Sequence, residues 1–312
     1  MRKIWAILRN TYHEIVRQPI FYFLVGIFSI LLFLSQYLTL FAFGAEISMM
    51  KEMAIASITL CGLLLALFSS TTVITEEIEN KTVITVLSKP IYRYEFILGK
   101  FFGIVYALFL VVVFQTFLFT LTLWMSNESS SFFSLRNYYD FVQSSSRVEF
   151  VLAKSDTPDS SNLPLLEEAA QQFQWKYVAH YLSKFFLENL SAVYKGIFLS
   201  FVQIILLCSL SIMMSCFFST IVNVVFCFFI FVLGHLWEYT ANLLHQFPFG
   251  RWIATWFAWL VPNLEYFNLS WAISINKPIP GDYLLYVTSY GLLYTSITLL
   301  VAIFLFKNRE VM

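Results

Sequence analysis

The sequence predicts an all-α integral membrane protein with six transmembrane helices, an N-terminal amphipathic helix at the membrane interface and both termini in the cytosol. The first observation is composition: 59% of the 312 residues are hydrophobic and only 12% are charged, whereas soluble domains carry about 25% charged residues. The second is a series of long apolar runs, since a helix needs about 20 such residues to cross the hydrocarbon core. The third is the distribution of lysine and arginine between the runs, which sets orientation.

An amphipathic pattern precedes the first apolar run. In residues 2–19, Ile4, Leu8, Tyr12 and Ile15 recur at helical spacing, and the basic residues fall elsewhere on the helical wheel. This pattern favours a helix lying in the cytosolic interface over a loose tail. Because the residue before a proline disfavours helical geometry, we expect the helix to end just before Pro19.

Apolar runs of membrane-spanning length follow. They cover residues 20–43, 53–75, 101–125, 196–218, 221–237 and 283–306. The fourth and fifth are separated only at residues 219–220, which predicts a tight helical hairpin. The first run exceeds the 7–15 residues of a signal-peptide core, so we expect it to remain as a span.

Positive charge favours an inner N-terminus. The segments that would then lie inside, 1–19, 76–100 and 307–312, carry ten lysines and arginines, and the short outer segments 44–52 and 238–282 carry three. The long loop between the third and fourth runs has little weight, because loops above about 60 residues translocate regardless of charge.

The chain divides into three parts within one transmembrane domain. They are residues 1–125, with the amphipathic helix, three spans and the cytosolic segment 76–100; residues 126–195, an extracytoplasmic insert that is partly helical; and residues 196–312, with three spans and an outer interfacial segment at 238–282. Within the insert, the serine-rich stretch 127–146 predicts irregular structure, and 164–194 predicts a helix.

The spans carry few groups for chemistry. They contain no Asp, Glu, Lys or Arg, which ion-coupled transporters place at membrane depth. We expect His235 to be an interfacial polar residue and the cysteines Cys61, Cys208, Cys216 and Cys227 to be buried thiols. The chain has no GxxxxGK[ST] phosphate loop, its histidines lack the spacing of a metal site, and its net charge of zero predicts no nucleic-acid partner. No catalytic, metal or cofactor site is therefore expected.

A compact charged insert, EEIENKTVITVLSKPIYRYEFILGK at residues 76–100, joins the second and third runs. Glu77 and Lys81 have the i, i+4 spacing that continues a helix out of the second span. Pro90 breaks the segment, and a second helix is expected from Tyr92 into the third span. A solvated loop would explain the charges, but a short structured hairpin of mixed sign is better suited to docking a protein. A GxxxG pair follows at Gly99 and Gly103, which the intervening lysine is expected to keep at the surface.

This segment resembles the signature of ABC-2 type permeases, the membrane subunits of ATP-binding-cassette exporters. The matching pattern is E-x-E-x-[KG]-T-[ILV], then L-[SA]-x-P-[IV]-x-R, then GK; the matching positions are Glu77, Glu79, Lys81, Thr82, Leu87, Ser88, Pro90, Arg93, Gly99 and Lys100. The stretch RNTYHEIVRQPIFYF resembles the family's elbow helix through Glu14, Arg17 and Pro19, and WLVPNLEYFNLS resembles its outer segment between spans five and six.

The resemblance implies a permease that does not hydrolyse ATP itself. ATP and magnesium would be bound by a separate ATPase subunit, and two permeases, identical or different, would face each other in the lipid of the inner (cytoplasmic) membrane. The segment at 76–100 would sit in a cleft of the ATPase. The residues expected to make or shape that contact are Glu76, Glu77, Glu79, Lys81, Thr82, Ser88, Pro90, Arg93, Gly99 and Lys100.

Two other functions remain open from the sequence. The chain could be a membrane scaffold or assembly protein without transport. It could also be an intramembrane protease of the prenyl-processing type, with Glu76-Glu77 and a Phe231-x-x-x-His235 pair, although the arginine of that pattern is absent.

Overall fold

The computed structural model describes residues 2–38, 46–79, 92–153, 190–237, 239–240, 242, 261–275, 277 and 279–308. All elements in these residues are helical. They are α1 (Arg2–Val16), α2 (Pro19–Leu38), α3 (Glu46–Glu79), α4 (Arg93–Ala153), α5 (Ser191–Ser215), α6 (Thr220–His235), a 3₁₀ turn at Glu265–Phe267, α7 (Ser270–Ser274) and α8 (Gly281–Asn308). The predicted all-α class is confirmed for this part of the chain.

Four of these helices contain apolar stretches long enough to cross a membrane. The stretches are Ser48–Thr75 in α3, Arg93–Leu123 in α4, Ser191–Ser215 in α5 and Gly281–Phe306 in α8. The pair α1 and α2, bent by 66° between Val16 and Pro19, makes a fifth if it is counted as one span. With 16 residues, α6 is about 24 Å long, shorter than the roughly 30 Å hydrocarbon core. The described chain thus has four or five candidate spans, and six stays a prediction.

The outer surface of the bundle is apolar. Ile221 on α6 is 77% exposed, and Phe23 on α2 and Leu293 and Phe304 on α8 are also exposed. A soluble monomer rarely exposes contiguous apolar surface of this extent. The helices therefore have the surface expected of a protein that lies in lipid.

The centre of the bundle is α5, which packs against α3 on one side and α8 on the other. Leu63 and Leu67 of α3 and Ile204 and Leu207 of α5 are completely buried. The helices α2 and α4 pack on α3. The predicted hairpin between the fourth and fifth runs is confirmed, because α5 ends at Ser215 and α6 begins at Thr220. All four cysteines are buried and free, as expected.

A cluster of small polar residues joins three helices inside this core. The Asn223 side-chain amide donates to the Ser215 hydroxyl at 2.7 Å and to the Ser211 carbonyl at 3.1 Å. The Ser211 hydroxyl in turn contacts that of Ser70 on α3. Since a buried polar group is costly unless it is hydrogen-bonded, these bonds fix the register of α3, α5 and α6.

Gln115 on α4 is a buried amide without such partners. Its side-chain nitrogen and oxygen make no hydrogen bond within the described residues; the neighbouring thiol of Cys61 is at most a weak partner. We expect Gln115→Leu to raise the free energy of unfolding by about 1 kcal/mol, because an unpaired buried amide loses its hydration without compensation. Thermal unfolding in one detergent measures this. Gln203→Leu is the matched control, since the Gln203 amide donates to His235 and its loss should destabilise; destabilisation by Gln115→Leu would contradict the prediction.

One sequence expectation about the connections is wrong. Residues 127–146 are not irregular, because α4 continues without a break to Ala153. The sequence contains neither glycine nor proline between Gly103 and Pro158, and serine disfavours a helix only mildly. In the segment 44–52, residues from Glu46 onward belong to α3, and Lys51 is completely buried. The segment predicted as a helix at 164–194 lies outside the described residues up to position 189.

Candidate functional site

Four chain segments meet at one end of the bundle, which we call the elbow end: α1, the last turns of α3, the first turns of α4 and the last turn of α8. The Gln18 amide, between α1 and α2, donates to the Thr72 hydroxyl of α3 at 3.0 Å. Arg93 at the start of α4 donates to the carbonyl of Phe306 in α8 at 3.2 Å. The inner segments predicted from positive charge therefore lie together where the structure describes them.

The apolar stripe of α1 packs on the start of α4. Ile15 is buried and Ile4, Leu8 and Tyr12 are half-buried, which confirms the predicted face. A Cβ atom on Gly103 would lie 2.7 Å from the Thr11 Cβ and 2.9 Å from the Leu8 carbonyl oxygen. The two helices thus approach so closely that only glycine fits. Pro19 is the first residue of α2, where its missing N–H is not needed.

Lys100 forms an ion pair with α1. Its ammonium lies 3.2 Å from the Glu14 carboxylate, and the side chains are 3% and 34% exposed. The ammonium also lies 5.7 Å from the centre of the Phe96 ring. The expectation that this lysine keeps the GxxxG pair at the surface is wrong, because Glu14 compensates the charge and allows the lysine to be buried between the helices.

The start of α4 is also fastened to α8. In addition to the Arg93 bond, the rings of Phe96 and Phe306 stack with centroids 5.6 Å apart. The helix start is capped by Glu95, whose carboxylate accepts from the Tyr92 N–H at 3.0 Å. A glutamate three residues after the N-cap is half of a capping box, so spacing alone could have identified this role.

The structure separates the ten residues predicted for ATPase contact into three groups. Glu76, Glu77 and Glu79 belong to the end of α3, which confirms that the helix continues out of the apolar run. Arg93, Gly99 and Lys100 make contacts within the chain, to α8 and α1. The remaining residues, Lys81, Thr82, Ser88 and Pro90, lie outside the described residues.

Glu14 was named from sequence only as part of the elbow pattern. Its role as partner of Lys100 was not predictable, because the two residues are 86 positions apart. The bond between Gln18 and Thr72 spans 54 positions and had no sequence signal either.

Glu77 lies near the C-terminal end of α3, whereas His235, the last residue of α6, lies beside the N-terminal half of α3. His235 shares a pocket with Thr59, and Thr59 is separated from Glu77 by about 27 Å of helix at 1.5 Å per residue. The structure therefore does not bring together the two groups that an intramembrane protease would need in one place.

Comparison with known proteins adds no relative: no protein-family model matches the chain, and no curated protein matches it significantly.

The elbow end can act as a mechanical joint. Residues 80–91 connect α3 to α4, so a force on this connection acts on both helices. Lys100 and the glycines fasten α4 to α1, and Arg93 and Phe96 fasten it to α8. Buried contacts of this kind transmit displacement, since a packed interior has low compressibility.

Proposed function

We propose that the chain is the membrane subunit of an ABC exporter. It would cross the inner membrane six times with both termini in the cytosol, pair with a second permease and take its energy from a separate ATPase. The segment at 76–100 would be the contact with that ATPase. This assignment starts from the resemblance of the segment to ABC-2 type permeases.

The observation that supports it most is the double attachment of α4 at the elbow end. The Lys100–Glu14 ion pair and the Arg93–Phe306 hydrogen bond tie α1 and α8 to the C-terminal part of the proposed contact segment. A solvated loop that only keeps charge out of lipid would need no such attachment. A segment that must move several helices together needs it, because coupling requires differential contacts in two states.

The test reverses the charge of the proposed contact without touching its internal bonds. In Glu77→Lys/Glu79→Lys, we expect an ATPase chain with a phosphate loop to be lost from the complex purified from native membranes, together with ATP-dependent transport. Arg93 is left unchanged, because its replacement would also remove the bond to Phe306. Co-purification and ATP hydrolysis per permease are measured, and membrane insertion is checked by extraction.

The matched control makes the same change in charge at the opposite end of the bundle. Glu265→Lys/Asp282→Lys alters two acidic residues in the 3₁₀ turn and the first turn of α8, and it should retain the ATPase. Survival of both co-purification and transport in Glu77→Lys/Glu79→Lys would refute the coupling role. Labelling of Glu79→Cys by a membrane-impermeant maleimide in intact cells would refute the orientation.

A further inference from the structure

A pocket of about 270 Å³ lies at the end of the bundle opposite the elbow end. Its walls come from α3, α5, α6 and the segment that contains the 3₁₀ turn. The polar lining residues are Thr59, Ser200, Gln203, His235, Asn268 and Ser270, and apolar side chains form the rest of the walls. Ionisable and amide side chains are costly at membrane depth and mark binding paths there.

Gln203 and His235 form a fixed pair in this pocket. The His235 Nδ1 lies 3.0 Å from the Phe231 carbonyl; since a carbonyl only accepts, Nδ1 carries the proton. The Nε2 of the neutral ring is then an acceptor, and it receives the Gln203 amide hydrogen at 3.2 Å. The ring is held in one tautomer, and both of its nitrogens are occupied.

Two of the remaining polar atoms, the Thr59 and Gln203 side-chain oxygens, can only accept a hydrogen bond, and the Ser200 hydroxyl can accept or donate. The Thr59 hydroxyl donates to the Ile55 carbonyl at 2.7 Å, so its lone pairs are left for a ligand. The Gln203 side-chain oxygen and the Ser200 hydroxyl make no hydrogen bond to another described residue. A ligand that supplies O–H donors would satisfy these atoms.

The lining disfavours a charged ligand. It contains no Asp, Glu, Lys or Arg among the described residues, and a charge removed from water without a partner is strongly disfavoured. The apolar walls would contact hydrocarbon, and Leu60 and Asn268 are exposed at the pocket. We infer that the pocket binds the hydroxylated, uncharged head of an amphiphile such as a glycolipid, recognised by Gln203, Ser200 and Thr59. This inference goes beyond the proposed function and stands without an ATPase.

The test is ligand protection of a cysteine in the pocket. Ala56→Cys, at an exposed lining position that is not one of the three recognising residues, is placed in the full chain in phosphatidylcholine nanodiscs and modified by N-ethylmaleimide with and without octyl β-glucoside. We expect roughly tenfold slower modification when the glucoside is at about ten times its Kd, because protection follows 1 + [L]/Kd. Octyl sulfate and free glucose at the same concentration should not protect. Background modification of the native cysteines is measured in the unsubstituted chain.

A second substitution in the cysteine variant shows which residues hold the glucoside. In the Ala56→Cys background, Gln203→Leu should abolish protection, and Gln115→Leu, the same change at a buried amide outside the pocket, should preserve it. Thr59→Val, which keeps the shape and removes the acceptor, should weaken protection even if Gln203→Leu does not fold. Absence of protection by the glucoside, or equal protection by octyl sulfate, would overturn the proposal; equal protection by glucose would overturn the assignment to an amphiphile.

Discussion

Gly103→Val is expected to detach α1 from α4 and to lower the free energy of unfolding by about 3–5 kcal/mol, since overpacking combines with the lost burial of a helix face. The new side chain would collide with the Leu8 carbonyl oxygen at 2.9 Å and with Thr11. A backbone oxygen cannot rotate away as a side chain can, so α1 itself must move. Thermal unfolding in detergent measures the loss. Ile15→Cys, on the buried face of α1, should become reactive to a water-soluble maleimide in the Gly103→Val background.

The control is Gly26→Val in α2. A Cβ atom at Gly26 meets nothing within 4 Å, so the same change should alter stability by less than about 1 kcal/mol, in the direction of valine's better helix propensity. Equal losses from the two substitutions would show that the effect comes from the helix backbone and not from the contact with α1.

The sequence identified α1 and its apolar face but not what covers that face. Periodicity shows that Ile4, Leu8, Tyr12 and Ile15 share one side of a helix; a lipid interface and a neighbouring helix impose the same pattern. Only the close approach at Gly99 and Gly103 distinguishes the two. Those glycines were visible in the sequence, but the lysine between them argued for exposure.

Element ends were harder to predict than elements. Apolar runs placed α3, α5 and α8 correctly, because burial in lipid or protein dominates their composition. The ends depend on local propensity: α3 includes residues 46–52 ahead of the predicted run and α4 includes residues 126–153 beyond it, and neither stretch contains a glycine or a proline. The predicted run 221–237 matches α6 to within two residues at each end, which is within the usual uncertainty of helix ends.

The polar contacts were beyond sequence reasoning for a different reason. Asn223 and Gln115 are both isolated amides in apolar runs, yet Asn223 has partners on α5 and Gln115 has none among the described residues. The difference depends on which residues of other helices lie opposite, and periodicity within one helix contains no information about that.

Glu14→Gln is expected to cost more stability than Lys100→Met, although the two remove the same ion pair. Glu14 is 34% exposed and can be hydrated when its partner is lost, whereas the Lys100 side chain is 3% exposed. Lys100→Met should therefore cost about 1 kcal/mol, within the range of a partly exposed pair. Glu14→Gln should cost about 2–3 kcal/mol, less than the full penalty of an isolated buried charge, because Lys100 keeps its contact with the Phe96 ring.

A double-mutant cycle separates the pair from its surroundings. Unfolding free energies of Glu14→Gln, Lys100→Met and the double variant should give a coupling energy of about 1–2 kcal/mol, as expected for residues in contact. The reference cycle combines Glu14→Gln with Lys195→Met. The Lys195 ammonium donates to the Ile279 carbonyl at the opposite end of the bundle, so the losses of unfolding free energy from these two substitutions should add to within about 0.5 kcal/mol. If the Lys100 cycle were also additive, α1 would be held on α4 by packing at the glycines alone, and a push on residues 80–91 would reach α1 without the ion pair.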